Sequence, residues 1–417
     1  MRFPLAACVA ALTTACASHA ANPAELQTGV WRAWLNTPGG ELPFGLDLRR
    51  DGPRWQCWIV NGPDRIEVPR VELSAGELTL GIDHYDATIT ARLDEGGRRL
   101  EGKFKRRRSA EKWIEADFAA AHGDAPRFAP LPESGAETAS FAGRWQVSLG
   151  GKNAPAVGVF EQGADGAVTG TFLTPGGDFG TCAGRADGQR LRLSRFEGVH
   201  AFLFDATLGG DGKLHGEYWT ASGAHETWVA ARDEKASIPQ GLKRPEAELR
   251  ADLAALEFRT VDGKPVRLSD PQFRGAGLVI EILGSWCPNC HDAAKVLEEL
   301  HREYGGLGLS VAGLAFELTG DFERDARLVK LYAERHKLTY PVLVAGRADK
   351  AEIAAKLPFL GEFSAYPTTV FIRGDGRVLA VHSGFAGPAT GRAYVEQRQE
   401  FQRLIEELLH EERGERP

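Results

Sequence analysis

Hydrophobic and polar positions alternate in short runs along the first half of the chain. Runs such as 46–48 and 87–91 show the period of two that β-strands have. Clusters of Gly, Asp, Asn and Pro separate these runs, as at 51–53, and are typical of tight turns. The pattern predicts antiparallel hairpins over 21–121 and again over 139–232.

The two β-rich segments resemble each other. Each begins with a Gly-x-Trp sequence, at 29–31 and 143–145, and each has a similar Gly-rich stretch near its end, at 94–104 and 208–218. A stretch rich in Pro, Ala, Gly and Ser, 122–140, separates them and predicts a linker. We therefore predict a duplicated all-β region, either two small barrels or two halves of one larger barrel or sandwich.

After a polar stretch at 233–248, taken as a second linker, apolar strands alternate with amphipathic helices. The run 278–283 is a continuous apolar strand interrupted only by Glu281, and 290–304 has apolar positions at helical spacing. Further strands and helices follow in alternation. This order predicts an α/β domain over 248–413, with parallel pairing and an antiparallel edge.

The first residues of the chain predict an export signal over 1–20. Arg2 supplies a positive charge, and the apolar run 3–15 has the length of a signal peptide but is shorter than the roughly 20 residues that span a bilayer. Small residues favour cleavage after Ala20. The alternative is cleavage before Cys16 and attachment of lipid to its thiol. The protein is expected to be periplasmic or secreted. The alternative is a lipoprotein anchored to the membrane.

Composition and charge limit the classes of function. With 417 residues, of which 43% are hydrophobic and 26% charged, the chain has the composition of a folded protein with more than one domain. The formal net charge is −7 at pH 7. This charge argues against nucleic-acid binding through bulk positive charge.

Four cysteines remain once the leader is removed, and two of them are far apart in the chain. Cys57 and Cys182 lie one in each β segment. An oxidising compartment permits disulfides. We predict a structural disulfide between these two cysteines, and the alternative is two free, buried thiols.

The other two cysteines form the motif Trp286-Cys287-Pro288-Asn289-Cys290, where an apolar strand meets a helix. The N-terminus of a helix favours the thiolate that performs disulfide exchange. Cys287 is therefore predicted to attack a disulfide, and Cys290 to resolve the mixed disulfide. A zinc site would need two more ligands. Because the sequence has no second Cys-x-x-Cys pair, we predict a redox dithiol without metal or cofactor.

This C-terminal segment resembles the thioredoxin superfamily, and more narrowly the TlpA/ResA-like periplasmic thiol–disulfide oxidoreductases. The resemblance rests on an opening hairpin, the dithiol motif, a cis-proline loop and a later loop, at 258–269, 284–290, 365–372 and 384–391. It implies a thioredoxin-like α/β domain after the all-β region. The β segments themselves resemble no family that we recognise.

The resemblance also implies roles for individual residues. Pro367 would be a cis-proline packed against the dithiol, and the backbone of Tyr366 would pair with a substrate strand. Trp286 would shield the dithiol. Glu281 would be a buried acid whose pKa is raised by burial and which assists proton transfer at Cys290.

The sequence therefore predicts a periplasmic or secreted thiol–disulfide oxidoreductase that works as a reductase. Its partners would be disulfide-bearing proteins and an upstream thiol donor in the membrane. Two alternatives remain open. One is a thiol peroxidase of the peroxiredoxin type, although 283–286 lacks the arrangement of an upstream Thr or Ser and a Pro that activates a peroxidatic cysteine. The other is a protein whose β segments bind a ligand or partner, with an accessory redox domain.

Overall fold

The computed structural model describes most of the chain, namely residues 25–131, 138–150, 154–239 and 241–412. The predicted signal peptide and Cys16 lie outside the described residues. Within them the strands form three sheets, and no helix there combines the length and the apolar character needed to cross a membrane.

The first sheet is antiparallel, with strands β1 (Gly29–Thr37), β2 (Gly40–Asp51), β3 (Arg54–Asn61), β4 (Asp64–Val68), β5 (Arg70–Ser74), β6 (Glu77–Ile82), β7 (Ala87–Leu93), β8 (Arg99–Arg107) and β9 (Trp113–His122). Their spatial order is β4-β3-β2-β1-β9-β8-β7-β6-β5, so the last strand returns to pair with the first. Trp31, Ala33 and Leu35 alternate with more exposed neighbours and point into the core. The sheet curves into a barrel-like shape around this apolar face.

The second sheet has strands β10 (Gly143–Leu149), β11 (Ala154–Gln162), β12 (Ala167–Thr174), β13 (Gly177–Asp178), β14 (Cys182–Asp187), β15 (Arg190–Phe196), β16 (Ala201–Leu208), β17 (Lys213–Thr220) and β18 (His225–Arg232). Strand β10 pairs with both β11 and β18, and β11 also pairs with β12. The sheet therefore closes into a barrel, and β13 extends from β12 as a short hairpin. Closure removes the exposed strand edges that invite aggregation.

The two barrels begin with the same local structure. In the first, the indole Nε1 of Trp31 donates to the carbonyl oxygen of Gln27 at 3.0 Å. In the second, Nε1 of Trp145 donates to the carbonyl oxygen of Phe141 at 2.9 Å. In both, the first strand pairs with the second and the last strand. The all-β prediction is confirmed, and the duplication behind this likeness stays a prediction.

The first part of the expected linker is packed between the barrels. Arg127 donates to the carbonyl oxygens of Pro43 and Val60 in the first barrel, at 2.9 and 2.8 Å. It also donates to Oγ of Ser194 in the second, at 3.0 Å. The neighbouring Phe128 is buried in the core of the first barrel. The described part of this stretch therefore joins the barrels as a structural element.

The predicted disulfide between Cys57 and Cys182 is wrong. Both cysteines are free and buried. Cys57, in β3, belongs to the core of the first barrel, and Cys182, in β14, to the core of the second. Each side chain points into the interior of its own barrel, and burial raises the pKa of both thiols. The alternative of two buried free thiols is what the structure shows.

The third sheet contains β19 (Leu242–Lys243), β20 (Glu257–Arg259), β21 (Pro265–Arg267), β22 (Gly277–Leu283), β23 (Leu309–Glu317), β24 (Val342–Arg347), β25 (Thr368–Arg373) and β26 (Val378–Ser383). Around it lie α1 (Pro288–Tyr304), α2 (Phe322–His336), α3 (Lys350–Lys356) and α4 (Arg392–Glu412). The strand order is β19-β26-β25-β22-β23-β24-β20-β21.

Strands β22, β23 and β24 are parallel, whereas β25 pairs antiparallel with β22, and β26 pairs antiparallel with β25. The α/β prediction, with its antiparallel edge, is confirmed. Helix α3 was not predicted. Strand β19 comes from the stretch taken as a polar linker, and it pairs with β26 at the sheet edge. The domain thus begins a few residues before the expected position 248.

Candidate active site

The dithiol lies where β22 passes into α1. Cys287 is the N-cap of the helix, and Pro288 is its first residue, where a missing backbone N–H costs nothing. The backbone N–H of Cys290 donates to the carbonyl oxygen of Cys287 at 3.1 Å, so both thiols belong to the first helical turn. Cys287 is 6% exposed and Cys290 is 0% exposed. Cys287 is thus the more accessible of the two, although both are buried.

The loop before β25 closes over this turn. The peptide bond between Tyr366 and Pro367 is cis, as the resemblance implied. The Tyr366 ring meets the indole of Trp286 edge to face, with centroids 5.1 Å apart. The carbonyl oxygen of Pro367 accepts from the backbone N–H of Gly384 at 2.8 Å. The structure therefore brings together the residues that the sequence suggested for substrate binding.

Glu281 is fully buried beneath the dithiol. Along β22, its side chain points to the same face as Val279 and Leu283, which pack in one cluster with Cys290. The hydroxyl of Tyr340 donates to its Oε2 at 3.4 Å, and Oε1 has no hydrogen-bond partner among the described residues. Burial raises the pKa of Glu281 to about 8. A carboxyl that titrates near neutrality is suited to giving and taking a proton.

Burial also raises the pKa of the Cys290 thiol well above its usual value, and the neighbouring Cys287 and the charge of Glu281 act in the same direction. Cys290 therefore needs a proton acceptor when it attacks. Its backbone is fixed as well, because the hydroxyl of Tyr332 donates to its carbonyl oxygen at 2.9 Å.

A second buried acid supports the site, and the sequence prediction did not name it. Glu317, at the end of β23, accepts from the backbone N–H and the hydroxyl of Ser285, both at 2.8 Å. The adjacent Trp286 donates through Nε1 to the carbonyl oxygen of Phe316 at 3.0 Å. Burial raises the pKa of Glu317 to about 7. Glu317 is the last residue of β23 and does not lie within its apolar run, so the signal that identified Glu281 was absent here.

His291 and His336 lie near the dithiol, and their rings form structural hydrogen bonds. His291 donates through Nε2 to the carbonyl oxygen of Ser285 at 2.8 Å, and its Nδ1 lies 2.6 Å from Nε2 of His336. Burial lowers the pKa of both rings, that of His336 to about 3. Neutral rings satisfy this arrangement, with His336 donating to His291. In the part of the chain that the structure describes, no cluster of His, Cys, Asp or Glu is arranged to hold a metal ion.

The C-terminal part of the chain is similar to known proteins. Residues 241–394 match the Redoxin family model. The thioredoxin-like protein YneN of Bacillus subtilis is 24% identical over 151 residues, which is 36% of this chain and 75% of that protein. The thiol–disulfide oxidoreductase ResA of Bacillus thuringiensis is 25% identical over 145 residues, which is 34% of this chain and 75% of that protein.

Solved structures give weaker likenesses. A secreted disulfide oxidoreductase of Mycobacterium tuberculosis is 19% identical, with a TM-score of 0.29, and the match covers 38% of this chain and 99% of that one. A thiol:disulfide interchange protein of Chlorobium tepidum is 21% identical, with a TM-score of 0.29 and coverage of 40% and 98%. The dithiol at the start of α1, the cis-proline loop and the family match agree with one another. Residues 241–394 therefore match the Redoxin family model and form a thioredoxin-like α/β domain that is similar to thiol–disulfide oxidoreductases.

Proposed function

We propose that the chain is an extracytoplasmic disulfide reductase that acts on proteins through Cys287 and Cys290. The observation that carries this proposal is the position of the two thiols in the first turn of α1, opposite the cis bond before Pro367. Backbone N–H groups at a helix N-terminus stabilise a thiolate. The more accessible thiol, Cys287, is the attacking group.

In the first step the thiolate of Cys287 attacks one sulfur of the substrate disulfide. The substrate's S–S bond breaks, the leaving sulfur takes up a proton, and a mixed disulfide joins Cys287 to the substrate. In the second step Cys290 loses its proton and attacks the sulfur of Cys287. The substrate leaves with two thiols, having gained two electrons, and Cys287 and Cys290 are left as a disulfide. A separate thiol donor, which we place in the membrane, then reduces this disulfide again.

The neighbouring residues support the second step. Glu281 accepts the proton of Cys290 and returns it when the dithiol is regenerated, because its pKa of about 8 lies near the working pH. The backbone of Tyr366 pairs with an extended substrate segment. Trp286 covers one side of the dithiol, held by its bond to the carbonyl oxygen of Phe316.

The extracytoplasmic location rests on the apolar leader in the sequence, with the lipid-bearing Cys16 as its alternative form. Cell fractionation and the mass of the mature protein test this part. A product that keeps residues 1–20 and stays in the cytoplasm would contradict it.

The alternative of an apolar ligand within the β region has less support. Large aromatic side chains fill both barrel interiors, among them Trp31, Phe44 and Phe104 in the first and Trp145 and Phe172 in the second. Close-packed interiors of this kind leave few voids larger than a water molecule. The barrels are better suited to contacting other polypeptide through their outer surfaces.

The test of the proposed function is reduction of insulin disulfides by the full chain with a dithiol donor. We expect turnover by the natural protein and none by Cys287→Ser. Cys57→Ala is the matched control, since this thiol lies in the core of the first barrel and must be dispensable for the chemistry. Equal turnover by the natural protein and Cys287→Ser would overturn the assignment.

A further inference from the structure

Part of the second barrel lies against the segments that surround the attacking thiol. Three segments of the catalytic domain surround the dithiol, namely the motif 286–290, the cis-proline loop 365–367 and the loop 384–387. The turn between β12 and β13, residues 174–178, contacts all three, and we call it the covering turn. Cys287, which these segments surround, is only 6% exposed.

The covering turn touches the dithiol motif itself. Gly177 has a φ of +129°, a conformation that favours glycine. A Cβ at this position would overlap Nδ2 of Asn289, between the two active cysteines, and would lie 2.9 Å from the carbonyl oxygen of Phe385. The backbone of Gly177 thus lies directly against the motif, and a side chain would separate the two.

The same turn lies against the cis-proline loop. A Cβ on Gly176 would be 3.7 Å from Cβ of Ala365, the residue before Tyr366. The carbonyl oxygen of Pro175 lies 2.5 Å from the position that a Cβ on Gly384 would occupy. The backbone N–H of Gly384 in turn donates a hydrogen bond to the carbonyl oxygen of the cis-proline, Pro367. The covering turn therefore stands where an extended substrate segment would approach Tyr366.

A buried hydrogen bond fastens the turn in this place. Asp178 is 3% exposed, and its Oδ1 accepts from the backbone N–H of Gly387 at 2.8 Å. Its Oδ2 accepts from the backbone N–H of Gly180 at 3.0 Å. The carboxylate thereby ties the second barrel to the loop that follows β26.

The first barrel supports the catalytic domain from the other side. The ring of Tyr85 meets that of His291 edge to face, with centroids 4.9 Å apart. Arg324 of α2 pairs with Asp86 at 2.5 Å. A cavity of ≈ 580 Å³ remains where the three sheets meet, and Tyr85, Asp178, Pro288 and His291 contribute to its wall. Pro288, the residue next to Cys287, thus faces this cavity between the sheets.

We propose that the covering turn occupies the place of a substrate strand and makes the second barrel the substrate-selecting part of the site. An extended protein segment reaches Cys287 only when the turn moves away, at the cost of its contacts with Asn289, Ala365 and Gly387. The proposal deepens the proposed function and rests on it for the identity of the substrate. Access to the thiol, however, can be measured without any turnover.

The first test uses the full chain with Cys290→Ser, so that Cys287 is the only active-site thiol. Gly177→Leu places a side chain against Asn289 and should push the turn outward. We expect alkylation of Cys287 by a polyethylene glycol maleimide to accelerate about tenfold, the factor that corresponds to about 1.4 kcal/mol. Peptide mass spectrometry identifies the labelled cysteine.

The matched control is Gly212→Leu in another turn of the same barrel. Gly212 also has a positive φ, +73°, but no atom lies within 4 Å of its Cβ position. This variant also places Leu at a positive φ, with less strain than at +129°, and does not touch the site. Its alkylation rate should equal that of the parent protein. An unchanged or slower rate in a folded Gly177→Leu protein would overturn the proposal.

A second measurement does not depend on the folding of the Gly177 variant. Cys290→Ser protein is joined to an insulin chain as a mixed disulfide, and hydrogen exchange is followed at the backbone amides of 174 and 176–178. We expect faster exchange than in the free protein, because the substrate displaces the turn. Unchanged protection would overturn the proposal. Faster alkylation of the Gly177 variant without insulin reduction by the intact dithiol would support the covering role and refute only the reductase function.

Discussion

Glu317 accepts two hydrogen bonds from Ser285, one from the backbone N–H and one from the hydroxyl, each 2.8 Å long. Ser285 lies two residues before Cys287, so this carboxyl at the end of β23 fixes the segment that presents the attacking thiol. Both residues are completely buried. The position of the thiol therefore depends on a group that takes no part in the exchange of sulfur atoms.

We expect Glu317→Ala to slow insulin reduction and to destabilise the fold. The change leaves the N–H and hydroxyl of Ser285 without their acceptor, which costs about 1–3 kcal/mol for a buried donor. Thermal melting and kcat/KM measured on one preparation check both effects. Glu317→Gln keeps an oxygen acceptor and should recover much of the rate. Full activity in a Glu317→Ala protein of normal stability would show that Ser285 needs no such support.

Replacing the two active cysteines should have different results. Cys287→Ser removes the attacking thiol, so no mixed disulfide forms. Cys290→Ser leaves the first step intact and removes the second, so mixed disulfides with substrate accumulate. Non-reducing electrophoresis and intact mass of the protein after exposure to insulin check this. Accumulation in Cys287→Ser instead would reverse the assigned roles.

We expect Glu281→Gln to slow the release of substrate from the mixed disulfide. Gln keeps the size of the side chain but cannot take the proton of Cys290. General acid–base assistance is typically worth about 10²–10⁴-fold, and the effect here should lie at the low end, about 10², since water can replace the carboxyl in part. Stopped-flow fluorescence of Trp286 measures the step. The same rate in both proteins from acid to alkaline pH would limit Glu281 to a structural role.

The same substitution should change how stability depends on pH. The pKa of Glu281 is raised by burial from its usual 4.5 to about 8. The unfolded chain therefore loses this proton at lower pH than the folded protein, and the contribution to stability present below about 4.5 is lost as pH rises to about 8. Each pH unit in this window corresponds to at most about 1.4 kcal/mol.

The stability of Glu281→Gln should not fall in this way. The difference in free energy of unfolding between the variant and the natural protein should therefore increase in favour of the variant through the window and then stay constant. Urea denaturation at pH values below, within and above the window measures the difference. A constant difference across all three would mean that Glu281 titrates at its usual pH.

Arg127→Ala should weaken the junction of the barrels. The guanidinium donates to the carbonyl oxygens of Pro43 and Val60 and to the hydroxyl of Ser194, so its loss removes buried hydrogen bonds that join the two barrels. We expect a loss of about 3 kcal/mol or more in the free energy of unfolding, as for other buried polar groups deprived of a partner. Arg54→Ala, at an exposed position, is the control. Equal denaturation midpoints for the two variants would contradict the bridging role.

The local chemistry of the site followed from the sequence. The dithiol stands between an apolar strand and an amphipathic helix, so its place at a helix N-terminus could be predicted from neighbouring residues. The burial of Glu281 followed as well, because an acid within a continuous apolar strand shares a face with apolar neighbours. The cis bond before Pro367 was implied by family resemblance.

Only the tertiary structure decided which distant segments meet. Alternation along a strand shows that Cys57 and Cys182 point inward, but it does not show that they point into separate cores. The bond between Asp178 and Gly387 joins residues 209 positions apart, and nothing local distinguishes their turns from others. The periodicity of apolar residues predicts which face of a helix or strand is buried. It does not predict the partner of that face, because the burial of apolar surface is non-directional. Which elements then pack together depends on shape and hydrogen bonds formed across the whole chain.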